Sequence, residues 1–254
     1  MTKAIRFHQT GGPEVLRLDD VDVGEPKGSQ ILVRHTAIGL NYIDTYHRSG
    51  LYPLPLPSMI GMEAAGVVLE TGPEVNDIKS GDRIAYACPP PGSYCEERLI
   101  EADKVVIIPL GVTDEVAAAM MLKGLTAQYL IRQIYKVSSN DTILIHAAAG
   151  GVGLIVCQWA KALGATVIGT VSTEEKAILA KSNGCDHAIL YTKEDFSARV
   201  LDITNGAKLP VVFDSIGNDT FEKSLDCLRP LGTMVSFGQA SGPIPPVDLG
   251  VFAQ

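Results

Sequence analysis

One stretch of this 254-residue chain restricts the possible folds more than any other, the segment 143–153 with the sequence ILIHAAAGGVG. An apolar strand leads here into a turn of alanine and glycine, and the helical pattern LIVCQWAKALGA follows. Glycines at such a turn let the backbone approach a pyrophosphate, whose charge faces the N–H groups of the first helical turn. The pattern predicts a dinucleotide site at Gly150, Gly151 and Val152. The alternative is a turn that only packs the strand against the helix.

Ala148 departs from the usual dinucleotide pattern, because it stands where the first glycine of G-x-G-x-x-G is normally found. A methyl group is tolerated there if the backbone φ angle stays negative. His146 lies two residues earlier, inside the apolar strand. We expect its imidazole to be buried and hydrogen-bonded rather than to bind a ligand.

The second half of the chain alternates between strand-like and helix-like segments. Such alternation predicts right-handed crossovers and a parallel sheet, that is, a doubly wound α/β fold. The predicted strands are residues 142–147, 166–171, 187–190, 211–215 and 233–237, and the predicted helices are residues 151–163, 173–182, 195–204 and 220–228.

The first half has a different texture, with short β-branched runs at residues 30–37, 64–71 and 103–109 separated by Gly- and Pro-rich turns. This pattern is typical of many short strands, so the half is predicted to be all-β as far as Pro109. A helical pattern begins at Asp114 and is interrupted at Gly124. We therefore predict two domains, residues 1–124 and residues 125–254.

Charge and cysteine usage exclude several classes of protein. The chain carries 21 Lys and Arg against 29 Asp and Glu, a net charge of −8, which argues against nucleic acid as a partner. The first ten residues lack the apolar core of a signal peptide, and no apolar run approaches the roughly 18 residues of a spanning helix. Five scattered cysteines fit reduced thiols better than disulfides or a zinc site. A cytoplasmic protein without membrane contact is predicted.

The end of the second predicted strand indicates which dinucleotide binds. NAD sites usually carry an acidic residue there, and Val171 stands in its place. Ser172, Lys176 and Tyr191 offer hydrogen bonds and a positive charge to a 2′-phosphate. The sequence therefore favours NADPH over NADH. The alternative for Lys176 is ordinary helix-surface charge, and the two glutamates before it crowd the site.

Several long motifs occur along the whole chain in a fixed order. They are GGPEVL, AIGLNYIDTYHRSGLYP, GMEAAGVV, GDRIAY, LKGLTAQYL, HAAAGGVGL, CQWAKALGA, DSIGNDTFEKSLDCL and MVSFG. With these motifs the chain resembles the zinc-independent NADPH:quinone oxidoreductases, the zeta-crystallin-like branch of the medium-chain dehydrogenase/reductase superfamily. The resemblance implies a GroES-like, partly open β-barrel catalytic domain followed by a Rossmann domain, with the active site in the cleft between them.

The same resemblance implies that no catalytic metal is bound. Asn41 and Met62 stand where zinc-containing relatives have a cysteine and a histidine. Neither side chain is a zinc ligand. The five histidines also show no metal-like spacing, and the cysteine-rich lobe of the zinc enzymes is replaced by a short loop at residues 87–94.

The resemblance also assigns site residues. On the substrate side it implies Asn41, Asp44, Tyr46 and Tyr52, with Asn41 and Tyr46 also approaching the nicotinamide. The tyrosines would donate hydrogen bonds to a developing quinol oxygen or stack on the ring. Their alternative is plain packing, and a structural role is the more natural one for Asp44.

On the cofactor side the resemblance implies that Thr126 meets the nicotinamide ring. Asn218, Phe237 and Gly238 follow the fourth and fifth predicted strands, at the sheet edge where ligands of open α/β folds bind. Asn218 could equally cap the helix predicted from Thr220.

The implied activity is NADPH-dependent reduction of a quinone, by one or two electrons and without a metal. The alternatives are an alkenal or enone double-bond reductase and a cofactor-binding protein without turnover. The family continues past a position like Gln254 with a sixth Rossmann strand and a return segment to the catalytic domain. Their absence from this sequence predicts a weakened homodimer, and it leaves open an inactive, cofactor-binding chain.

Overall fold

The computed structural model describes residues 1–248 and residue 250. The chain divides into two compact units, Met1–Leu122 and Lys123–Gln254. Within the described residues, no helix is long and apolar enough to cross a membrane.

The first unit contains two antiparallel sheets. The smaller sheet has the strand order β2-β1-β4, and the larger one has the order β7-β3-β5-β6-β8. The strands are β1 (Thr2–Phe7), β2 (Leu16–Val21), β3 (Gln30–Gly39), β4 (Ser58–Met59), β5 (Glu63–Thr71), β6 (Arg83–Ala87), β7 (Glu97–Glu101) and β8 (Val106–Ile107), with 3₁₀ turns at Pro13–Val15 and Ala102–Lys104.

The core of the larger sheet follows the alternation of its strands. Ile31 and Val33 of β3 are fully buried and pack with Val68 of β5 and with Ile84 and Tyr86 of β6. Neighbouring side chains of a strand point to opposite faces, so this period-2 pattern covers one face of the sheet.

The prediction that the first half is all-β is wrong at one segment, because helix α1 (Tyr42–Ser49) follows β3. Asn41 and Asp44 form a capping box at its start, and Gly50 ends it in the left-handed region at φ 85°. These are ordinary helix boundary signals. The helix has only eight residues, and the strand-like pattern of the surrounding sequence led to a prediction of strands there.

The predicted interruption at Gly124 is also wrong. Helix α2 (Asp114–Tyr129) passes through this glycine without a break, and a π-helical segment, Leu130–Ile134, follows it. A glycine inside a helix costs only about 1 kcal/mol relative to alanine. Ala117, Ala118 and Ala127 are buried along the helix, and their packing offsets that cost.

The second unit is a parallel five-stranded sheet with the order β11-β10-β9-β12-β13. Every predicted strand and helix of this unit is present; the second and third strands have the predicted bounds, and the other elements have shifted ends. The largest shift is in the last strand, which begins at Leu228 rather than at residue 233. The elements are β9 (Thr142–Ile145), α3 (Gly151–Ala162), β10 (Thr166–Val171), α4 (Glu174–Ser182), β11 (His187–Leu190), α5 (Phe196–Ile203), β12 (Leu209–Asp214), α6 (Phe221–Asp226) and β13 (Leu228–Ser236).

Helices cover both faces of this sheet. Ile143 and Ile145 of β9 pack into a core that includes Cys157 of α3, whereas Leu144 packs on the opposite side with Phe196 of α5. A strand buried on both faces needs apolar residues at consecutive positions, as the sequence TILI provides. The doubly wound α/β prediction is confirmed.

Candidate functional site

The predicted substrate-side residues of the first unit lie together around the start of α1. The Asn41 backbone N–H donates to Oδ2 of Asp44 at 2.9 Å, and the hydroxyl of Tyr94 donates to the same oxygen at 2.9 Å. Burial and the Asp44 carboxylate raise the pKa of Tyr94. Asp44 is itself only 3% exposed. Its carboxylate therefore helps to hold the turn that presents Asn41.

The Asn41 side chain is held by a second buried carboxylate. Its Nδ2 donates to Oε2 of Glu63 at 2.7 Å, and the backbone N–H of Leu122 donates to Oε1 of Glu63 at 2.7 Å. Asn41 is 5% exposed and Glu63 is fully buried. The Glu63 carboxylate at the start of β5 thus links the Asn41 side chain to the backbone of α2.

Tyr46 and Tyr52 stand in an aromatic cluster beside these groups. Their ring centroids lie 5.1 Å apart, and the Tyr42 ring lies 5.3 Å from that of Tyr46. The His47 ring meets Tyr52 edge-on at 6.2 Å. Burial lowers the pKa of His47, and the nearby Asp44 carboxylate partly opposes this shift. A neutral imidazole and two phenols therefore border the polar groups.

Glu63, Tyr94 and His47 were not singled out from the sequence as site residues. Glu63 did carry a signal, since it is one carboxylate at the head of the apolar strand EAAGVV, where a buried charge needs partners. Tyr94 had no comparable signal, because its partner Asp44 is 50 residues away in the chain. Contacts of that separation depend on the tertiary fold.

The glycine turn of the second unit has the geometry of an anion site. Helix α3 begins at Gly151, and no side chain caps its first turn. A methyl group was expected to be tolerated at position 148 if φ is negative, and Ala148 is not among the residues with positive φ. The preceding residue, Ala147, adopts φ 52°. A Cβ at Gly153 would lie 2.7 Å from the carbonyl oxygen of Ala148 and would also collide with that of Ala147. Glycine is therefore needed for close approach, not for its own φ angle.

A pyrophosphate fits this turn. Gly150 has an extended backbone with φ −80°, and the following amides belong to the helix N-terminus, where partial positive charge accumulates. A Cβ at Gly151 would lie 2.7 Å from Cδ of Lys123, so the aliphatic part of this lysine side chain packs against the turn. The residues here suit a dinucleotide phosphate.

The groups predicted to distinguish NADPH from NADH follow the carboxyl ends of β10 and β11. Nζ of Lys176 donates to Oγ of Ser172 at 3.1 Å, and Tyr191 is 51% exposed. Glu174 forms an ion pair with Lys193 at 3.0 Å, which offsets part of its charge. Ser172 and Lys176 thus form one polar pair beside the first turn of α4.

The remaining predicted cofactor residues occupy two other parts of the second unit. Thr126 lies on α2 and is half-buried. Phe237 and Gly238 follow β13, and a Cβ at Gly238 would lie 2.8 Å from the Ser215 carbonyl oxygen. Asn218 does not cap α6, since Thr220 occupies the cap position and the Asn218 amide donates to Asp219. The capping alternative for Asn218 is wrong.

Among residues 1–248 and 250, no group of three or more His, Cys, Asp or Glu side chains is arranged to hold a metal ion.

Two family models match the chain. Residues 27–141 match the alcohol dehydrogenase GroES-like domain, and residues 151–253 match the zinc-binding dehydrogenase model. The chain is 55% identical to a quinone oxidoreductase of Pseudomonas aeruginosa, over all of this chain and 78% of that protein. The chain belongs to the quinone oxidoreductase family. It carries the GroES-like and Rossmann-like architecture of that family, as predicted from its motifs.

Further relatives share both sequence and structure with this quinone oxidoreductase family member. The crystal structure of Escherichia coli quinone oxidoreductase complexed with NADPH superposes with a TM-score of 0.97 at 51% identity, covering 99% of this chain and 78% of that one. A 2-haloacrylate reductase of Burkholderia is 50% identical over 99% of this chain and 78% of that protein.

Proposed function

We propose that this protein is an NADPH:quinone oxidoreductase. The observation that carries the proposal is 55% identity to a quinone oxidoreductase along the whole chain, with a glycine turn suited to a dinucleotide. NADPH, when bound, supplies a hydride, which together with one proton converts a quinone into a hydroquinone. Oxidation of NADPH in the presence of a soluble benzoquinone, followed at the nicotinamide absorbance, tests the activity directly. No oxidation above the quinone-free rate would contradict it.

On the substrate side, Asn41, Tyr46 and Tyr52 are proposed to contact the quinone, with Asn41 and Tyr46 also bordering the nicotinamide. Amide and phenol donors at a carbonyl oxygen stabilise the negative charge that develops there during reduction. The aromatic rings orient a planar substrate. Asp44 is proposed to act indirectly. Its carboxylate accepts one hydrogen bond from the backbone N–H of Asn41 and another from the hydroxyl of Tyr94.

Replacing each tyrosine with phenylalanine separates hydrogen bonding from ring packing. We expect Tyr46→Phe to lower kcat for the quinone by about tenfold, because one donor to the developing oxyanion is lost. Tyr52→Phe should have a smaller effect, since Tyr52 is the more exposed of the two. Steady-state kinetics with NADPH saturating measure both. Unchanged turnover in both variants would mean that the two tyrosines contribute to catalysis only by orienting the substrate.

On the cofactor side, Gly150, Gly151 and Val152 are proposed to bind the pyrophosphate, and Ser172, Lys176 and Tyr191 the 2′-phosphate. Thr126, Asn218, Phe237 and Gly238 are proposed to border the nicotinamide half. The uncapped start of α3 and the Lys176–Ser172 hydrogen bond support this assignment.

Charge reversal at Lys176 tests the choice of cofactor. We expect Lys176→Glu to weaken NADPH binding by about tenfold and to leave NADH binding within twofold, because only NADPH carries the 2′-phosphate. Lys181→Glu, also exposed but in the last turn of α4, is the matched control. Titration of cofactor fluorescence measures both dissociation constants. Equal NADPH affinity in the two variants would remove Lys176 from the site.

A second reaction is supported by a specific relative, the 2-haloacrylate reductase at 50% identity. Hydride addition to the β-carbon of an activated alkene uses the same cofactor and the same stabilisation of negative charge on a carbonyl oxygen. Parallel assays of a benzoquinone and an enone with NADPH compare the two substrate classes. The larger kcat/KM identifies the preferred class.

Three further features belong to the proposal. The catalytic and NADPH-binding functions are assigned to residues 1–124 and 125–254, supported by the compact units that divide at Leu122. A cytoplasmic location is supported by five cysteines that are all free thiols. A homodimer is proposed on the family resemblance, and sedimentation analysis at several protein concentrations tests it.

A further inference from the structure

A glycine, Gly169, lies in the middle of β10 among β-branched residues, in the sequence TVIGTV. Glycine inside a strand costs conformational entropy and side-chain packing, and it often marks the close approach of another part of the chain. Gly169 is not among the residues with positive φ, so its backbone conformation does not require glycine. The reason for a glycine here is therefore the space around it.

That space is occupied by two buried side chains, those of Ala148 and Cys185. A Cβ at position 169 would collide with the Cβ of Ala148 and would lie 2.9 Å from Sγ of Cys185. The backbone N–H of Ala148 donates to the carbonyl oxygen of Thr170 at 3.1 Å, so the glycine turn is attached to β10 directly beside Gly169. The methyl group of Ala148 thus fills the place that a side chain at position 169 would need.

Helix α3 prevents Ala148 from moving away from β10. A Cβ at Gly153 would lie 2.7 Å from the carbonyl oxygen of Ala148, and Sγ of Cys157 lies 3.9 Å from the same oxygen. The strand therefore packs against the methyl group of Ala148, and the helix packs against its carbonyl group. Close-packed interiors transmit strain rather than absorb it, so a side chain at position 169 would displace the turn.

We propose that Gly169 is a positioning residue for the cofactor pyrophosphate. Because it lacks a side chain, a turn with alanine at position 148 can pack against β10 and direct the amides of Gly151 and Val152 at the phosphates. This inference rests on the proposed function, in which the turn binds NADPH. In the usual G-x-G-x-x-G pattern the first glycine has no methyl group and needs no such space. Positions 148 and 169 thus share room for one methyl group, and Gly169 compensates for the departure of Ala148 from the pattern.

Variants built on Cys185→Ala isolate the contact between positions 148 and 169. Cys185→Ala removes the second obstacle and should bind NADPH as the wild type does, because it shortens a side chain outside the proposed phosphate-binding groups. Adding Gly169→Ala should weaken NADPH binding by about tenfold or more, since the overpacked turn is displaced. Adding Ala148→Gly as well should restore the dissociation constant to within about threefold, because one methyl group again fills the shared space.

A second ligand distinguishes positioning from a general loss of structure. Adenosine 2′-monophosphate carries the 2′-phosphate but no pyrophosphate, so its binding, measured by ligand-observed NMR, should be the same in all these variants. If Gly169→Ala weakened both ligands in parallel, the effect would be overall destabilisation and the inference would be overturned. Unchanged NADPH binding in Gly169→Ala, or no recovery when Ala148→Gly is added, would also overturn it.

Thermal unfolding tests the contact without any ligand. In the Cys185→Ala background Gly169→Ala should lower the thermal midpoint, and Ala148→Gly should recover most of that loss, because residues in contact are not additive. Strictly additive changes would overturn the inference. A wild type that binds neither NADPH nor adenosine 2′-monophosphate would refute the proposed function, whereas the thermal midpoints separately test whether positions 148 and 169 share one space.

Discussion

Replacing Gly153 with alanine is expected to abolish NADPH binding and to destabilise the second unit by about 3 kcal/mol. The added methyl group would lie 2.7 Å from the carbonyl oxygen of Ala148 and would also collide with that of Ala147. Both oxygens belong to backbone, so the turn itself must move, and overpacking of this kind costs about 1–3 kcal/mol or more. A displaced turn no longer directs the first amides of α3 at a pyrophosphate.

Gly151→Ala is the matched control for stability. Its methyl group would meet Cδ of Lys123 at 2.7 Å, and that side chain is flexible enough to move aside. Urea unfolding followed by the fluorescence of Trp159, the single tryptophan, reports on this unit. Fluorescence titration gives the dissociation constant for NADPH. A Gly153→Ala protein that binds NADPH within threefold of the wild type would contradict the assignment of this turn.

The stability of the second unit is expected to fall as the pH falls from about 6.5 towards 4, with His146 contributing roughly 3 kcal/mol over this range. Nδ1 of His146 lies 2.9 Å from the Thr170 hydroxyl, and Nε2 lies 2.9 Å from the Ser224 hydroxyl. Burial lowers the pKa of the imidazole to about 4, and the Asp214 carboxylate partly opposes the shift. The buried, hydrogen-bonded imidazole predicted from the sequence is confirmed.

The direction of this pH dependence follows from proton uptake on unfolding. In the unfolded chain a histidine titrates at a pKa near 6.5, so between the two pKa values the unfolded state binds a proton that the folded state does not. Acid therefore favours unfolding. Urea unfolding at pH 7, 6 and 5 should show a free energy of unfolding that declines more steeply in the wild type than in His146→Gln. His187→Gln, an exposed histidine of the same unit, is the control, and equal slopes for all three proteins would refute the role of His146.

Much of the second unit could be predicted because its signals are local. The run TILI must be buried on both faces, and the glycines that follow it specify a tight turn into a helix. A short window of sequence was therefore enough to predict a dinucleotide turn and to predict that alanine is tolerated at position 148. Helix α1 was missed because its eight residues carry aromatic and β-branched side chains that also suit strands. Gly124 was overinterpreted, since tertiary packing outweighs a modest helix penalty.

The hydrogen-bond partners of the predicted substrate-side residues could not be predicted from the sequence. Motif resemblance brought forward Asn41, Asp44, Tyr46 and Tyr52, which are close in the chain as well as in space. Two of their partners, Glu63 and Tyr94, are 22 and 50 residues away from Asn41 and Asp44 respectively. No periodicity links positions so far apart.

The amino-acid sequence by itself determined the two-part architecture and the glycine turn into α3, and it predicts NADPH as the cofactor and the residue types of the proposed substrate site. Each of these depends on side chains that are neighbours in the chain or on motifs of continuous residues. Only the tertiary structure decided which groups those side chains face. The hydrogen bond from Asn41 to Glu63 and the neutral state of His146 arise from buried partners that β5, β10 and α6 supply. Hydrogen bonds and desolvation act through space, so they become fixed only when distant segments pack together.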